Sequence, residues 1–85
     1  HGGRDHARSW DWVARALCAD WRVVAVDLRG HGDSAWSPDG AYQTNQLVCD
    51  LAELVRHLAV DRVRIVGHSW GGNVAVRYAG IFPDR

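Results

Sequence analysis

The sequence predicts an α/β fold in which parallel strands alternate with helices, and three observations carry that prediction. Residues 22–27 (Arg-Val-Val-Ala-Val-Asp) and 62–67 (Arg-Val-Arg-Ile-Val-Gly) are short, β-branched runs, the pattern of strands covered on both faces in a parallel sheet. Stretches with apolar residues at helical spacing precede each run. A glycine-rich turn then leads from the second run straight into a third helical stretch. The order helix, strand, helix, strand, helix implies right-handed crossovers between parallel strands.

Residues 1–6 are polar and glycine-bearing, and read as a loop. Residues 9–19 predict the first helix: Trp10, Val13 and Leu17 recur on one face with Ala14 beside them. Asp11 suits the positive end of the helix dipole, and Ser9 is the expected N-cap. Between the first strand and the second helix, residues 28–42 hold three glycines and a proline, a long irregular connection of the kind that is functional or mobile. Residues 44–58 predict the second helix, with Leu47, Leu51, Leu54, Val55 and Leu58 in one stripe and Glu53 and Arg56 outside it. The third helix is expected to open at Gly71-Gly72 and run through Tyr78, with Gly80 ending it and Pro83 barring its extension.

Ten basic residues, all arginine, balance ten acidic ones, with no run of like charge. That excludes the basic stripe of a nucleic-acid binder and a polybasic membrane anchor. No apolar stretch approaches the roughly 20 residues of a membrane span. Cys18 and Cys49 fit no metal or redox spacing and read as small buried or half-buried helix residues, not as a disulfide. No cofactor or metal is expected. The chain opens at His1 inside a loop and stops after Phe82-Pro83-Asp84-Arg85, so both ends read as cut and the chain as an internal piece of a longer protein. The expected compartment is the cytoplasm.

Chemistry concentrates in Gly67-His68-Ser69-Trp70-Gly71, a G-x-S-x-G sequence lying between a strand pattern and a helix. A tight strand-to-helix turn forces its central residue into a strained backbone conformation and needs small residues two before and two after. Gly67 and Gly71 meet that need, and Gly72 lets the helix start close beneath the strand. Such a turn lifts the Ser69 hydroxyl to the C-terminal edge of the sheet, where open α/β sheets bind ligands. The helix N-terminus behind it favours negative charge on a reacting oxygen, and the Trp70 N–H is the natural oxyanion donor. The alternative is a glycine-rich turn whose serine only caps the helix.

Three motifs together resemble the α/β-hydrolase superfamily. His1-Gly2-Gly3 is similar to the family's His-Gly oxyanion loop. Asp27-Leu28-Arg29-Gly30-His31-Gly32-Asp33-Ser34 is similar to its D-x-R-G-x-G-x-S segment, and the third is the elbow itself. They stand in the family's order across nearly the whole chain. The resemblance implies a three-layer α/β-hydrolase fold, present in part over residues 1–85, from the oxyanion loop to the helix after the elbow. It also implies that the Gly3 N–H is the second oxyanion donor. Arg29, His31 and Asp33 then support a loop and are not catalytic. His68, inside the turn beside Ser69, is read as a packing or hydrogen-bonding residue. Trp10 and Trp12 are read as helix packing, whereas Trp36 and Trp70 divide evenly between structure and contact with the acyl group.

Serine at the elbow separates the chain from epoxide hydrolases and haloalkane dehalogenases of the superfamily, which carry aspartate there and form an alkyl-ester intermediate. Serine forms an acyl-enzyme, which implies cleavage of an ester, lactone or related acyl bond of a small-molecule substrate. The family's order is nucleophile, acid, histidine, so the acid and the histidine are expected beyond Arg85 and the piece alone is expected to be inactive. Two rival readings keep the fold: a non-catalytic ligand-binding protein, and an acyltransferase or perhydrolase using the same elbow. The family also places a further strand between the two seen here. Without it the isolated piece is expected to leave backbone groups unpaired and to be unstable.

Overall fold

The computed structural model describes residues 1–84. A 3₁₀ turn at Ala7–Trp10 runs into helix α1, Asp11–Leu17. The helix therefore starts two residues later than expected, and Ser9 is not its cap. The Ser9 hydroxyl donates to the Asp5 carboxylate instead. His6 caps the 3₁₀ turn, its Nδ1 accepting the Arg8 N–H at 3.2 Å. The Cys18 N–H closes the last turn of α1 on the Ala14 carbonyl at 2.9 Å.

The apolar side of α1 finds no partner among the described residues. None of its residues is buried, and the indole of Trp12 lies exposed with the Arg15 guanidinium 5.1 Å from its ring centre. Helix packing by Trp12 is thus corrected to a surface cation–π contact.

Helix α2 occupies Thr44–Leu58, the expected bounds. Its stripe holds, but with Val48 added: Leu47, Val48 and Val55 are buried, while Leu51, Leu54 and Leu58 are half-buried. Glu53 and Arg56 pair on the outer face at 2.7 Å. Ala59 ends the helix in the left-handed region (φ 54°), its N–H on the Arg56 carbonyl at 3.1 Å.

Helix α3 spans Trp70–Ile81. It runs through Gly80, which was expected to stop it. Nothing lies within 4 Å of where a Cβ would stand on that glycine, so its presence is tolerated and not required. The stop falls at Phe82, just before Pro83, whose ring cannot continue a helix.

Helices α2 and α3 pack face to face. Leu47, Val48 and Val55 meet Val74 and Tyr78, with Leu28, Leu51, Ala52, Val63, Trp70 and Phe82 around them. Each such buried side chain contributes roughly 1.5–3 kcal/mol relative to exposure. This small core fixes α3, and hence the turn at its head.

Residues 22–27 and 62–67 carry no helix, but they form no strand ladder either; among the described residues no parallel sheet is present. A cleft of about 500 Å³ separates the two segments, with Val26 and Leu28 on one side, Ile65 and Val66 on the other, and Leu51 and Leu54 of α2 among its walls. Parallel strands must lie about 4.8 Å apart to bond, and among the described residues no backbone hydrogen bond joins the two segments. Their side chains stay open, Val66 at 69% exposure, where burial on both faces was expected. The two cysteines depart from expectation in the same direction: both are free thiols at the surface.

Candidate active site

The turn at residues 67–71 is built so that only glycine fits around its serine. A Cβ on Gly67 would stand 2.4 Å from the Gly71 carbonyl oxygen, and one on Gly71 would stand 2.8 Å from the His1 carbonyl oxygen. Both obstacles are backbone, which cannot swing aside. Ser69 itself takes φ 54° and ψ −115°, a conformation that L side chains rarely adopt and that costs on the order of 1–3 kcal/mol.

That strain is not offset by capping. Ser69 occupies the N-cap position of α3, yet its side chain makes no cap hydrogen bond and is exposed. A serine present only to cap the helix would accept a backbone N–H there. The Ser69 carbonyl does serve the helix, accepting from the Asn73 N–H at 3.1 Å. The Trp70 N–H, first of the helix, has no acceptor among the described residues and lies at the positive end of the α3 dipole.

The first three residues close on this turn. The Gly71 N–H is shared between the His68 and His1 carbonyls, each at 3.0 Å. Gly2 is buried against the serine: a Cβ there would lie 3.4 Å from Ser69 Cβ and 3.8 Å from Ser69 Oγ. Gly3 is exposed with open space around it, and its N–H has no acceptor among the described residues. Trp70 thus follows Ser69 in the turn, and Gly3 follows the glycine that lies against Ser69. His68 is exposed and makes no hydrogen bond among the described residues; of its two expected roles only packing is seen, its Nδ1 standing 3.5 Å from where a Cβ on Gly2 would lie.

The His1 side chain was not singled out from the sequence. It is 94% removed from solvent and bonded at both ring nitrogens. Its ring lies 5.0 Å from that of His31, which in turn meets Trp70 edge-on at 5.6 Å.

Beside it the segment of residues 27–34 is a tied loop. The Asp27 carboxylate accepts the Ala7 N–H at 2.7 Å and the Asp33 N–H at 3.0 Å, and the Asp27 carbonyl accepts the Ser34 hydroxyl at 2.6 Å. Those N–H bonds, Ala7 foremost, hold the Asp27 carboxyl below the usual carboxylate range. Arg29 forks onto Asp50 of α2 at 2.6 and 2.7 Å and reaches the Ala41 carbonyl at 2.8 Å. The Asp50 carboxylate raises the Arg29 guanidinium above its ordinary value. The Arg29 and His31 side chains serve the loop's shape, as the resemblance implies, whereas Asp33 contributes through its backbone N–H.

Two aromatic residues are now placed. The Trp70 indole turns from the serine into the helix interface, where its Nε1–H donates to Thr44 Oγ1 at 3.3 Å. Trp36 is 79% exposed on the rim of the cleft between the extended segments. Ser69 does not line that cleft, which is the space between the segments. Among the described residues no cluster of three His, Cys, Asp or Glu side chains is placed to hold a metal ion, and no helix is long and apolar enough to cross a membrane.

Comparison with known proteins finds related sequences over nearly the whole chain. A serine hydrolase-like protein of Danio rerio is 38% identical over 99% of the chain and 26% of its own length. An esterase of Mycobacterium tuberculosis is 43% identical over 99% of the chain and 28% of its own length. A soluble epoxide hydrolase of Corynebacterium is 40% identical over 93% of the chain and 27% of its own length. The chain thus spans about a quarter of the length of these relatives. No solved structure matches it significantly. The model of the alpha/beta hydrolase fold family covers residues 1–85, and the chain belongs to that family.

Proposed function

We propose that the protein is a serine hydrolase that cleaves an ester, lactone or related acyl bond of a small-molecule substrate through an acyl-enzyme at Ser69. The observation that carries this reading is the state of Ser69: strained in backbone, exposed, and unused as a cap at the head of α3. Strain held at a residue whose side chain makes no hydrogen bond among the described residues is a reason to propose chemistry there.

In the proposed reaction Ser69 Oγ attacks the substrate carbonyl carbon while a histidine takes its proton. The carbonyl π-electrons move onto oxygen, and the N–H groups of Gly3 and Trp70 hold the resulting oxyanion. Collapse expels the alcohol, protonated by the same histidine, and water then releases the acid by the reverse steps. The base is proposed to lie outside this chain, oriented there by an acidic residue. Both nitrogens of His1 are occupied, His31 faces the Arg29 carbonyl, and His68 is locked in the same turn as Ser69. The parallel sheet is proposed to form in the full-length protein when a further strand enters the cleft between the two extended segments. Serine at the elbow favours acyl transfer over the epoxide opening named for one relative. The reading places the enzyme in the cytoplasm.

Labelling of the full-length protein with a fluorophosphonate probe tests the proposal. Covalent labelling that disappears in Ser69→Ala supports it; labelling that persists in that variant rejects Ser69 as nucleophile.

A further inference from the structure

We infer that the His1 imidazole is a positioning residue, held as the neutral Nδ1–H tautomer, that aims the Gly3 N–H by tethering the carbonyl of the same peptide group. The inference rests on the oxyanion role proposed for Gly3.

The tautomer follows from the two partners. The Leu28 N–H can only donate, so His1 Nε2, 3.0 Å away, carries a lone pair. The Gly2 carbonyl can only accept, so Nδ1, 2.7 Å away, carries the proton. An imidazolium would set N–H against N–H at Leu28 inside a buried contact, and the opposite tautomer would lose both bonds.

The consequence for Gly3 is geometric. Gly2 C=O and Gly3 N–H belong to one planar peptide group, and the described chain holds no cis bond. In a trans peptide the two groups point in opposite directions. Fixing the carbonyl on the imidazole therefore turns the Gly3 N–H to the open side of the loop. The same loop presses Gly2 against Ser69. Glycine at both positions leaves this peptide free to flip unless something holds it. Among the described residues the one side chain bonded to it is His1, itself anchored through Leu28 to the end of the first segment.

The surroundings agree with a neutral ring. His31 faces it at 5.0 Å, with Nδ1 committed to the Arg29 carbonyl at 3.0 Å. The Asp5 carboxylate, the nearest acid along the chain, is spent on the His6 N–H and the Ser9 hydroxyl, and the Asp27 carboxylate on two backbone N–H groups. The Arg29–Asp50 pair is satisfied within itself, Gly71 of α3 lies against the His1 backbone, and His68 Nδ1 stands 3.5 Å from where a Cβ on Gly2 would lie.

Two substitutions separate the two bonds in the full-length protein. Asn places its amide nitrogen where Nδ1 stands, and Gln places its amide group where Nε2 stands. His1→Gln is expected to keep the Leu28 contact, lose the Gly2 tether and lower kcat roughly ten- to a hundredfold with KM little changed, since an oxyanion donor acts in the transition state. His1→Asn keeps the tether and is expected to lose no more than about threefold. Equal losses in both variants, a larger loss in His1→Asn, or no loss in either overturns the inference.

Imidazole ¹⁵N correlation spectra of His1 give a second readout that needs no activity. A neutral ring protonated at Nδ1 is expected at pH 7, and a proton on Nε2 overturns the inference. This second measurement still decides the matter if fluorophosphonate labelling fails, which would sink only the acyl-transfer reading of Ser69.

Discussion

Two turns leave the two extended segments, and they spend their hydrogen bonds in opposite ways. In the first, residues 27–34, the left-handed positions fall on Gly30 and Gly32, and the polar side chains at Asp27, Arg29, His31 and Ser34 are all bonded. In the second, residues 67–71, the positive φ falls on Ser69, whose hydroxyl is bonded to nothing among the described residues. A loop that only supports can place its awkward angles on glycine, where they cost little. A turn that must present a hydroxyl has no such freedom, because the residue bearing the function is also the residue under strain.

The largest expected effect comes from removing the function while relieving the strain. Ser69→Gly in the full-length protein is expected to abolish acyl hydrolysis, by roughly 10⁶-fold, and to raise Tm above wild type. A lower Tm in that variant would mean that the serine side chain supports the fold after all. Next comes Gly67→Ala, whose Cβ meets backbone at 2.4 Å; a loss above about 4 kcal/mol is expected in chemical denaturation. Gly32→Ala meets the Asp27 carboxylate at a similar distance, but that side chain can rotate away by giving up its N–H bonds. Its loss in the same experiment is expected to be smaller, and an equal loss would erase the distinction drawn between the turns.

The smallest effect is one of pH. The folded state holds the Asp27 carboxyl below its ordinary value, so its contribution is complete above about pH 3.9 and fades as pH falls through the lower folded value. The Tm gap between wild type and Asp27→Asn should therefore narrow between pH 7 and about pH 3. A gap that stays constant over that range would detach the stabilising effect from the carboxylate charge.

How much of this was legible in the sequence depended on how local the cause was. Helix α2 came out at its expected bounds because a regular stripe and its flanks specify it from within. The elbow was legible because Gly67, Gly71 and Gly72 answer a steric demand within six residues. Ser9 misled because a rival acceptor, Asp5, sits one turn earlier and took its hydroxyl. Gly80 misled because a glycine marks a helix end only where a left-handed angle is needed, and none is needed there. The strand patterns gave extended chain but no sheet, since a ladder requires a neighbour that no local pattern supplies. The His1 ring could not be placed at all, because its second bond spans 27 positions to Leu28.

The open flanks of the cleft bear on how this chain behaves among copies of itself. Val23, Val24 and Val26 on one segment, with Ile65 and Val66 on the other, present β-prone apolar runs whose backbones are unpaired. Such runs template edge-to-edge association and, at high concentration, fibrils. Arginine guards them: Arg22 opens the first run, Arg62 and Arg64 interrupt the second, and the Arg64 guanidinium lies 4.5 Å over the Trp21 ring. These three cations oppose such association by the charge they set beside each apolar run.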